Sequence, residues 1–220
     1  MNISSVELKS KLKLNFGFED FRPDQLEIIV KILNQESILA VMPTGAGKSL
    51  CFQLPALISE FKSVIISPLV SLMDDQVEGL RQNGIEVSKI HANQSREVNI
   101  TNWKNFVSGA SKLLYLSPER LMQNKMIEAL RKANVKLFVV DEAHCISKWG
   151  VGFRPEYEQL SELKTLFPLA TIAAFTATAD KATRKDIVQK LSNGKAHIIV
   201  KGFDRPNLYL SVETKPTSKK

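Results

Sequence analysis

Cysteine is scarce. Cys51 and Cys145 are the two in 220 residues, and they form no CxxC pair. The three histidines are scattered, so nothing resembles the clustered Cys/His set that a zinc ion needs. Both cysteines sit among apolar motif residues, which favours buried reduced thiols over a disulfide. Long apolar runs are missing too, and none approaches the roughly 18 residues of a membrane span. Lys9, Lys11 and Lys13 lead into no apolar segment, so no secretory signal is expected. The expected compartment is the cytoplasm or nucleoid, or the nucleus of a eukaryote, with no membrane partner. No repeat of fixed period occurs. Acidic residues are outnumbered: 23 Asp and Glu face 30 Lys and Arg, giving +7. A polyanionic partner fits that balance, although many basic proteins bind no nucleic acid. With 44% hydrophobic and 24% charged residues, the chain has ordinary globular composition. It suits one large α/β domain, or a domain with extensions.

What the chain does contain is organised around MPTGAGKS: Met42, Pro43, Thr44, Gly45, Ala46, Gly47, Lys48 and Ser49. A short apolar run, Ile38 to Val41, precedes it and a helical pattern, Leu50 to Ile58, follows. Strand, glycine turn and helix start together make a phosphate cradle. Gly45 and Gly47 let the backbone curl so that several N–H groups converge, and the helix adds its positive end. Lys48 can reach the outer phosphates, and the Ser49 hydroxyl can ligate Mg²⁺. Met42 occupies the position where the usual pattern has its first glycine. The competing reading is an ordinary glycine turn ahead of Lys-Ser.

Upstream, FGFEDFRPDQ spans Phe16 to Gln25. Pro23 is expected in the first turn of a helix running to about Asn34, with Leu26, Ile29, Val30 and Leu33 inward. The Gln25 amide offers one donor and one acceptor, which suit adenine N7 and its N6 amine. Phe18 and Arg22 could stack on the base. On the residues alone the simpler reading is different: phenylalanines as core staples and Gln25 on the surface.

Downstream, apolar strands alternate with helical segments. Strands are expected at 63–66, 87–90, 113–116, 137–140, 171–175 and 197–200. Two end in Ser-Pro turns. SPLVSL places Ser67 and Ser71 at a helix start, where they can hold a nucleic-acid phosphate or simply cap the helix. SPERL offers Ser117 and Arg120 in the same way. Asn93, Gln94 and Ser95 form another polar loop that either touches phosphates or caps a helix. A strongly apolar strand ends in DEAH. There Asp141 can hold Mg²⁺ and Glu142 can position and deprotonate a water, while His144 can sense the γ-phosphate. Alone, the quartet reads as an acidic turn; downstream of a phosphate loop it reads as chemistry. CISKWGVGFRPEY mixes Trp149, Phe153 and Tyr157 with Lys148 and Arg154. Interleaved aromatics and cations suit single-stranded nucleic acid, and a buried aromatic turn is the alternative. Thr176 and Thr178 follow a strand and can link the nucleotide to a neighbouring surface. A helix is expected from Pro155 to Leu166, and Asp180 is expected to cap another.

These segments, in this order, resemble the first motor lobe of a RecQ-type DNA helicase of superfamily 2, from about Leu12 to Leu210. LKLNFGFEDFRPDQ resembles that family's adenine-reading segment. MPTGAGKSLCFQLPA, SPLVSLMDDQV, SPERLM, DEAHCIS-W, FRPEY, TATA and FDRPN carry the rest. The resemblance implies a RecA-like P-loop NTPase fold, a mostly parallel sheet with helices on both faces. It implies that strand 171–175 lies between the phosphate-loop strand and the Asp141 strand. It implies adenine contacts from Phe18, Arg22 and Gln25, and DNA coupling through Trp149, Phe153 and Arg154. The implied activity is ATP-dependent 3′-to-5′ DNA unwinding in repair and recombination, with ATP, Mg²⁺ and single-stranded or partly duplex DNA.

Three segments are expected: N-terminal helices with the adenine segment (1–34), the ATP-binding lobe (35–205) and the start of a linker (206–220). The family's second lobe, zinc module and winged helix are expected outside this chain, so the lobe alone should not unwind DNA. The family's W-G-H-D-F-R reads WGVGFR here. Val151 cannot hydrogen-bond or relay charge, so coupling falls to Arg154 and His144 or is lost. An RNA helicase, and an ATP-gated binder without turnover, are the rival readings.

Overall fold

A computed structural model of the chain describes residues 3–149, 152–202 and 211. The strands are β1 (Ile38–Val41), β2 (Lys62–Ile66), β3 (Val87–Ile90), β4 (Leu113–Leu116), β5 (Val135–Val140), β6 (Thr171–Thr176) and β7 (His197–Val200). Each is a short apolar or β-branched stretch that fits a pleated surface. They form one sheet in the order β3-β4-β2-β5-β6-β1-β7, with every adjacent pair parallel. Parallel neighbours require crossover connections, here mostly helical. Those helices cover both faces, which is why β1, β4 and β6 are buried at every position. β6 lies between β1 and β5, the order that the resemblance implied.

The helices are α1 (Ser5–Phe16), α2 (Gln25–Leu33), α3 (Lys48–Ile58), α4 (Val70–Gln82), α5 (Arg96–Ser108), α6 (Pro118–Leu121), α7 (Asn124–Lys132), α8 (Pro155–Glu158), α9 (Leu163–Leu166) and α10 (Lys181–Ser192). Side chains alternate across each strand. Leu39, Val41, Val64 and Phe138 enter one core, and Ile38, Ala40, Ile65 and Val139 enter the other. A third cluster joins Leu8 and Leu12 of α1, Ile29 and Leu33 of α2 and Leu54 of α3. The N-terminal helices are thereby packed on the helix that follows the phosphate loop. Among the described residues no helix is long and apolar enough to cross a membrane.

Some local expectations change. α2 starts at Gln25, after Pro23 and a left-handed Asp24 (φ 74°). Its buried face is Gln25, Ile28, Ile29, Ile32 and Leu33, so Val30 is exposed and Leu26 only half-buried. The reason is that Gln25 itself faces inward and sets the helix phase. The helix expected over Pro155–Leu166 is interrupted by a 3₁₀ turn at Gln159–Glu162. Gly150, Val151, the FDRPN stretch and, apart from Ser211, the expected linker lie outside the described residues.

Leu12 is fully buried between the N-terminal helices and α3. Leu12→Ala is expected to destabilise the protein by ~2–5 kcal/mol. Urea denaturation measures it, and an unchanged midpoint would mean that this packing contributes nothing.

Candidate nucleotide and nucleic-acid site

Because every strand runs the same way, the loops after β1, β2, β4, β5 and β6 all leave one edge of the sheet. After β1 the chain turns through residues 42–47 into α3. Met42 is buried, and its N–H donates to the Thr176 carbonyl at 3.0 Å, tying this turn to the end of β6. Gly47 is left-handed (φ 78°) and no side chain caps α3. The first N–H groups of α3 therefore face the curl of the loop as an anion site. Lys48 Nζ donates to the Met42 carbonyl at 3.2 Å, and Ser49 follows it on the first turn.

Arg22 and Gln25 are seated on this loop. The Arg22 N–H donates to Gln25 Oε1 at 2.8 Å. Gln25 Nε2 donates to the carbonyls of Ala46 and Gly47 at 3.3 and 3.2 Å, and the Arg22 guanidinium donates to that of Gly45. Gln25 is 2% exposed, so it is no surface residue. The three phenylalanines divide: Phe16 and Phe21 pack on the helical cluster, while Phe18 is 54% exposed. With both amide hydrogens given to the loop, Gln25 keeps one acceptor lone pair. That suits the adenine N6 amine; a second contact, to N7, requires releasing a loop bond.

Asp141 and Glu142 follow β5. The Asp141 N–H donates to the Ile66 carbonyl at 2.9 Å. Its Oδ1 accepts from the Glu142 N–H at 3.0 Å, and its Oδ2 from Gln76 Nε2 at 3.2 Å. Burial and then the charge of Glu142 push the Asp141 carboxyl up to about 6, although Lys48 and the two hydrogen bonds pull the other way. A buried carboxylate held at such cost is a good partner for a divalent cation. Among the described residues no group of three His, Cys, Asp or Glu could hold a metal alone. Asp141 and the Ser49 hydroxyl are hard oxygen donors of the kind a magnesium ion would take, with its remaining ligands supplied from elsewhere. Glu142 is left-handed (φ 49°), an uncommon state for a residue with a Cβ. Its carboxyl is held low first by His144 and, more weakly, by Lys48, so it is ionised at neutral pH.

His144 joins this pair to the end of β6. Its Nδ1 lies 3.2 Å from Glu142 Oε2 and 2.9 Å from Thr176 Oγ1. The Cys145 thiol, 3.8 Å from Nε2, and the Glu142 carboxylate hold the imidazolium up to about 9. As imidazolium, Nδ1–H donates to both oxygens. Thr176 in turn donates to the Thr178 carbonyl at 3.1 Å and accepts from the Thr178 N–H at 3.3 Å. Gly152 lies against His144: a Cβ there would be 3.5 Å from Nε2.

The aromatic loop separates its residues. Trp149 is 76% exposed, which removes it from the core. Phe153 is half-buried under Lys148, whose Nζ sits 5.7 Å from the ring centre. Tyr157 is core, and its hydroxyl donates to the Asp141 carbonyl at 3.0 Å. The Arg154 guanidinium donates to the Pro68 carbonyl at 3.2 Å, joining this loop to the turn after β2. Ser67 is buried with no partner for its hydroxyl, and Ser71 is exposed. Neither caps α4, whose N-cap is Leu69. Ser117 and Ser95 do cap their helices. Ser117 and Arg120 line a groove of about 930 Å³ with Pro68, Asn93 and Gln94, some way along the edge from the phosphate loop.

Sequence reasoning passed over Gln53, Gln76 and Tyr115. Gln53 Nε2 donates to Tyr115 Oη at 3.1 Å, and Tyr115 Oη donates to Gln76 Oε1 at 3.0 Å. The available signal was a polar residue on an inward row: Gln76 falls between Met73 and Leu80, both buried.

The profile of the DEAD/DEAH box helicase family matches residues 22–187. An ATP-dependent DNA helicase RecQ of Haemophilus influenzae is 47% identical over 206 residues, 94% of this chain and 33% of that protein. A putative ATP-dependent RNA helicase of Acanthamoeba polyphaga mimivirus is 40% identical over 211 residues, 95% of this chain and 38% of that protein. The chain therefore spans about a third of the length of these relatives. In structure, a hypothetical ATP-dependent RNA helicase from Sulfolobus tokodaii aligns with a TM-score of 0.68 at 18% identity, over 91% of this chain and 57% of that one. The chain belongs to the DEAD/DEAH box helicase family, and its match to RecQ helicases runs through nearly all of it.

Proposed function

We propose that the chain is the ATP-binding motor lobe of a 3′-to-5′ DNA helicase acting in repair and recombination. The observation that carries this reading is the seat of Arg22 and Gln25 on the same loop that presents Lys48. It supports a site that reads adenine and phosphates together. ATP binds with its phosphates in the curl of residues 42–49 and its base beside Phe18, Arg22 and Gln25. Magnesium, held by Asp141 and Ser49, supplies charge neutralisation at the phosphates when bound. Lys48 stabilises the charge that develops on the outer phosphates. Glu142 orients the attacking water and takes its proton, and His144 carries the state of Glu142 to Thr176 and Thr178.

Single-stranded DNA crosses the carboxyl edge at Ser67, Ser71, Ser117 and Arg120, with Trp149 stacked on a base. Phe153 and Arg154 link that strand to the nucleotide. The exposed Ser71, the uncapped start of α4 and the exposed Trp149 favour this path. A second lobe completes the enzyme with an arginine finger, a contribution of ~10³–10⁵ in rate. Without that lobe, hydrolysis is slow and unwinding absent.

One relative is named as an RNA helicase, which favours a second reading with RNA as the strand. Stimulation of the intact protein's ATPase by single-stranded DNA and by RNA separates the two. We expect DNA to stimulate; RNA alone doing so would reverse the assignment. Glu142→Gln should lower DNA-stimulated turnover by ~10²-fold or more while ATP still binds. If DNA never stimulates and the mutant matches wild type, a gated binder without turnover is the correct description.

Trp149→Ala should weaken single-stranded DNA binding by ~1–3 kcal/mol. For this lobe alone, with about three phosphate contacts to a single strand, the log–log salt slope should be near −2. A Cβ at Gly47 would run into Gln25 Nε2, on a left-handed backbone. Gly47→Ala is thus expected to cost ~1–2 kcal/mol of stability and to weaken ATP binding. Calorimetry checks both, and wild-type affinity would show that Gln25 plays no part in holding the loop.

A further inference from the structure

Asp141 has a second support besides its own turn, and it reaches across the sheet. Gln53 on α3 donates to Tyr115 on β4, Tyr115 donates to Gln76 on α4, and Gln76 donates to Asp141 Oδ2, at 3.1, 3.0 and 3.2 Å. The direction of every bond is set. A carboxylate only accepts, so the Gln76 amide must turn its NH₂ toward Asp141 and its carbonyl toward Tyr115. The phenol must then donate to that carbonyl and accept from Gln53. Gln53 and Tyr115 are buried, so water cannot replace a lost partner without cost.

The chain joins the elements that flank the site. α3 begins at Lys48 and Ser49. β4 ends at Ser117. α4 begins beside Ser67 and Ser71, and the carbonyl of Pro68 accepts from Arg154. Gln76 lies six residues into α4 from Val70, a rise of roughly 9 Å along the axis. A shift of α4 at its exposed start therefore moves the amide that aims the carboxylate.

We propose that Gln76 is the positioning residue for the Asp141 carboxylate, and that α4 conveys the occupancy of the Ser67–Ser71 turn to that carboxylate through it. The proposal rests on the metal-holding role given above to Asp141. In this role Gln76 acts on the cation only through the Asp141 carboxylate. It fixes the rotamer of Asp141 with a neutral group, so that the full negative charge remains for a cation. Tyr115 and Gln53 fix Gln76 in turn. Partners of this kind behind a metal ligand typically contribute 10–100-fold in metal affinity.

The test uses the intact protein and the near-isosteric Gln76→Met, which keeps volume and removes both bonds, with Tyr115→Phe as the milder change. Three quantities are read: affinity for a fluorescent ADP analogue in EDTA, affinity for it in Mg²⁺, and the Mg²⁺ concentration for half-maximal ATPase with and without single-stranded DNA. Gln76→Met is expected to raise the half-saturating Mg²⁺ by roughly 10-fold or more. It should leave nucleotide affinity in EDTA within about twofold and shrink the effect of DNA on the Mg²⁺ requirement. Tyr115→Phe should do the same more weakly. A merely structural role would lower thermal stability and weaken nucleotide binding equally with and without metal, and that result overturns the proposal. So does an unchanged Mg²⁺ requirement in Gln76→Met while Asp141→Ala raises it steeply. If Asp141→Ala itself leaves the Mg²⁺ requirement unchanged, the metal role of Asp141 fails and this inference falls with it.

Discussion

The parallel run of the seven strands among the described residues is the constraint on which everything else rests. It requires a crossover after each strand and helices on both faces, so the strands must be apolar on both sides. It also sends the loop after each strand to a single edge. The phosphate loop, the Ser67 turn, the Ser117 turn, Asp141 and Thr176 all leave that edge, from β1, β2, β4, β5 and β6. Residues more than a hundred positions apart meet there because the sheet order interleaves their strands, with β6 between β1 and β5.

Hydrogen bonds then cross from one loop to the next. Met42 is tied to Thr176 through the backbone, and Thr176 to His144 and through it to Glu142. Arg154 ties the aromatic loop to the turn after β2. Tyr157 ties the helix behind that loop to the backbone of Asp141. No loop of the site stands alone, so a change at one strand end reaches its neighbours through a bond or two. Glu142 shows the consequence in its backbone: it holds a left-handed conformation that the surrounding bonds over-determine.

Much of this was legible in the amino acids, for identifiable reasons. Four-residue apolar runs bounded by turn residues mark buried strands, and β1 and β4 fall where such runs begin and end. MPTGAGKS and DEAH carry spacing that few other structures need. Other features were not legible. The phase of α2 depends on Gln25 facing inward, and only its contacts with Ala46 and Gly47 reveal that. Phe16, Phe18 and Phe21 look alike in sequence, yet one is exposed and two are packed. Ser67 and Ser117 occupy equivalent Ser-Pro turns, yet Ser117 caps its helix and Ser67 does not. Gln53, Tyr115 and Gln76 are scattered over three elements, and no periodicity relates them. Contacts between distant polar side chains have no local signature, since the fold alone brings them together.

The most direct measurement is a crystal structure of the protein with a non-hydrolysable ATP analogue and Mn²⁺, located by its anomalous signal. The account predicts phosphates cradled by residues 45–49, the base against Arg22 and Gln25, and the manganese peak bonded to Asp141 and Ser49. A nucleotide bound elsewhere, or a manganese peak remote from Asp141, would contradict it.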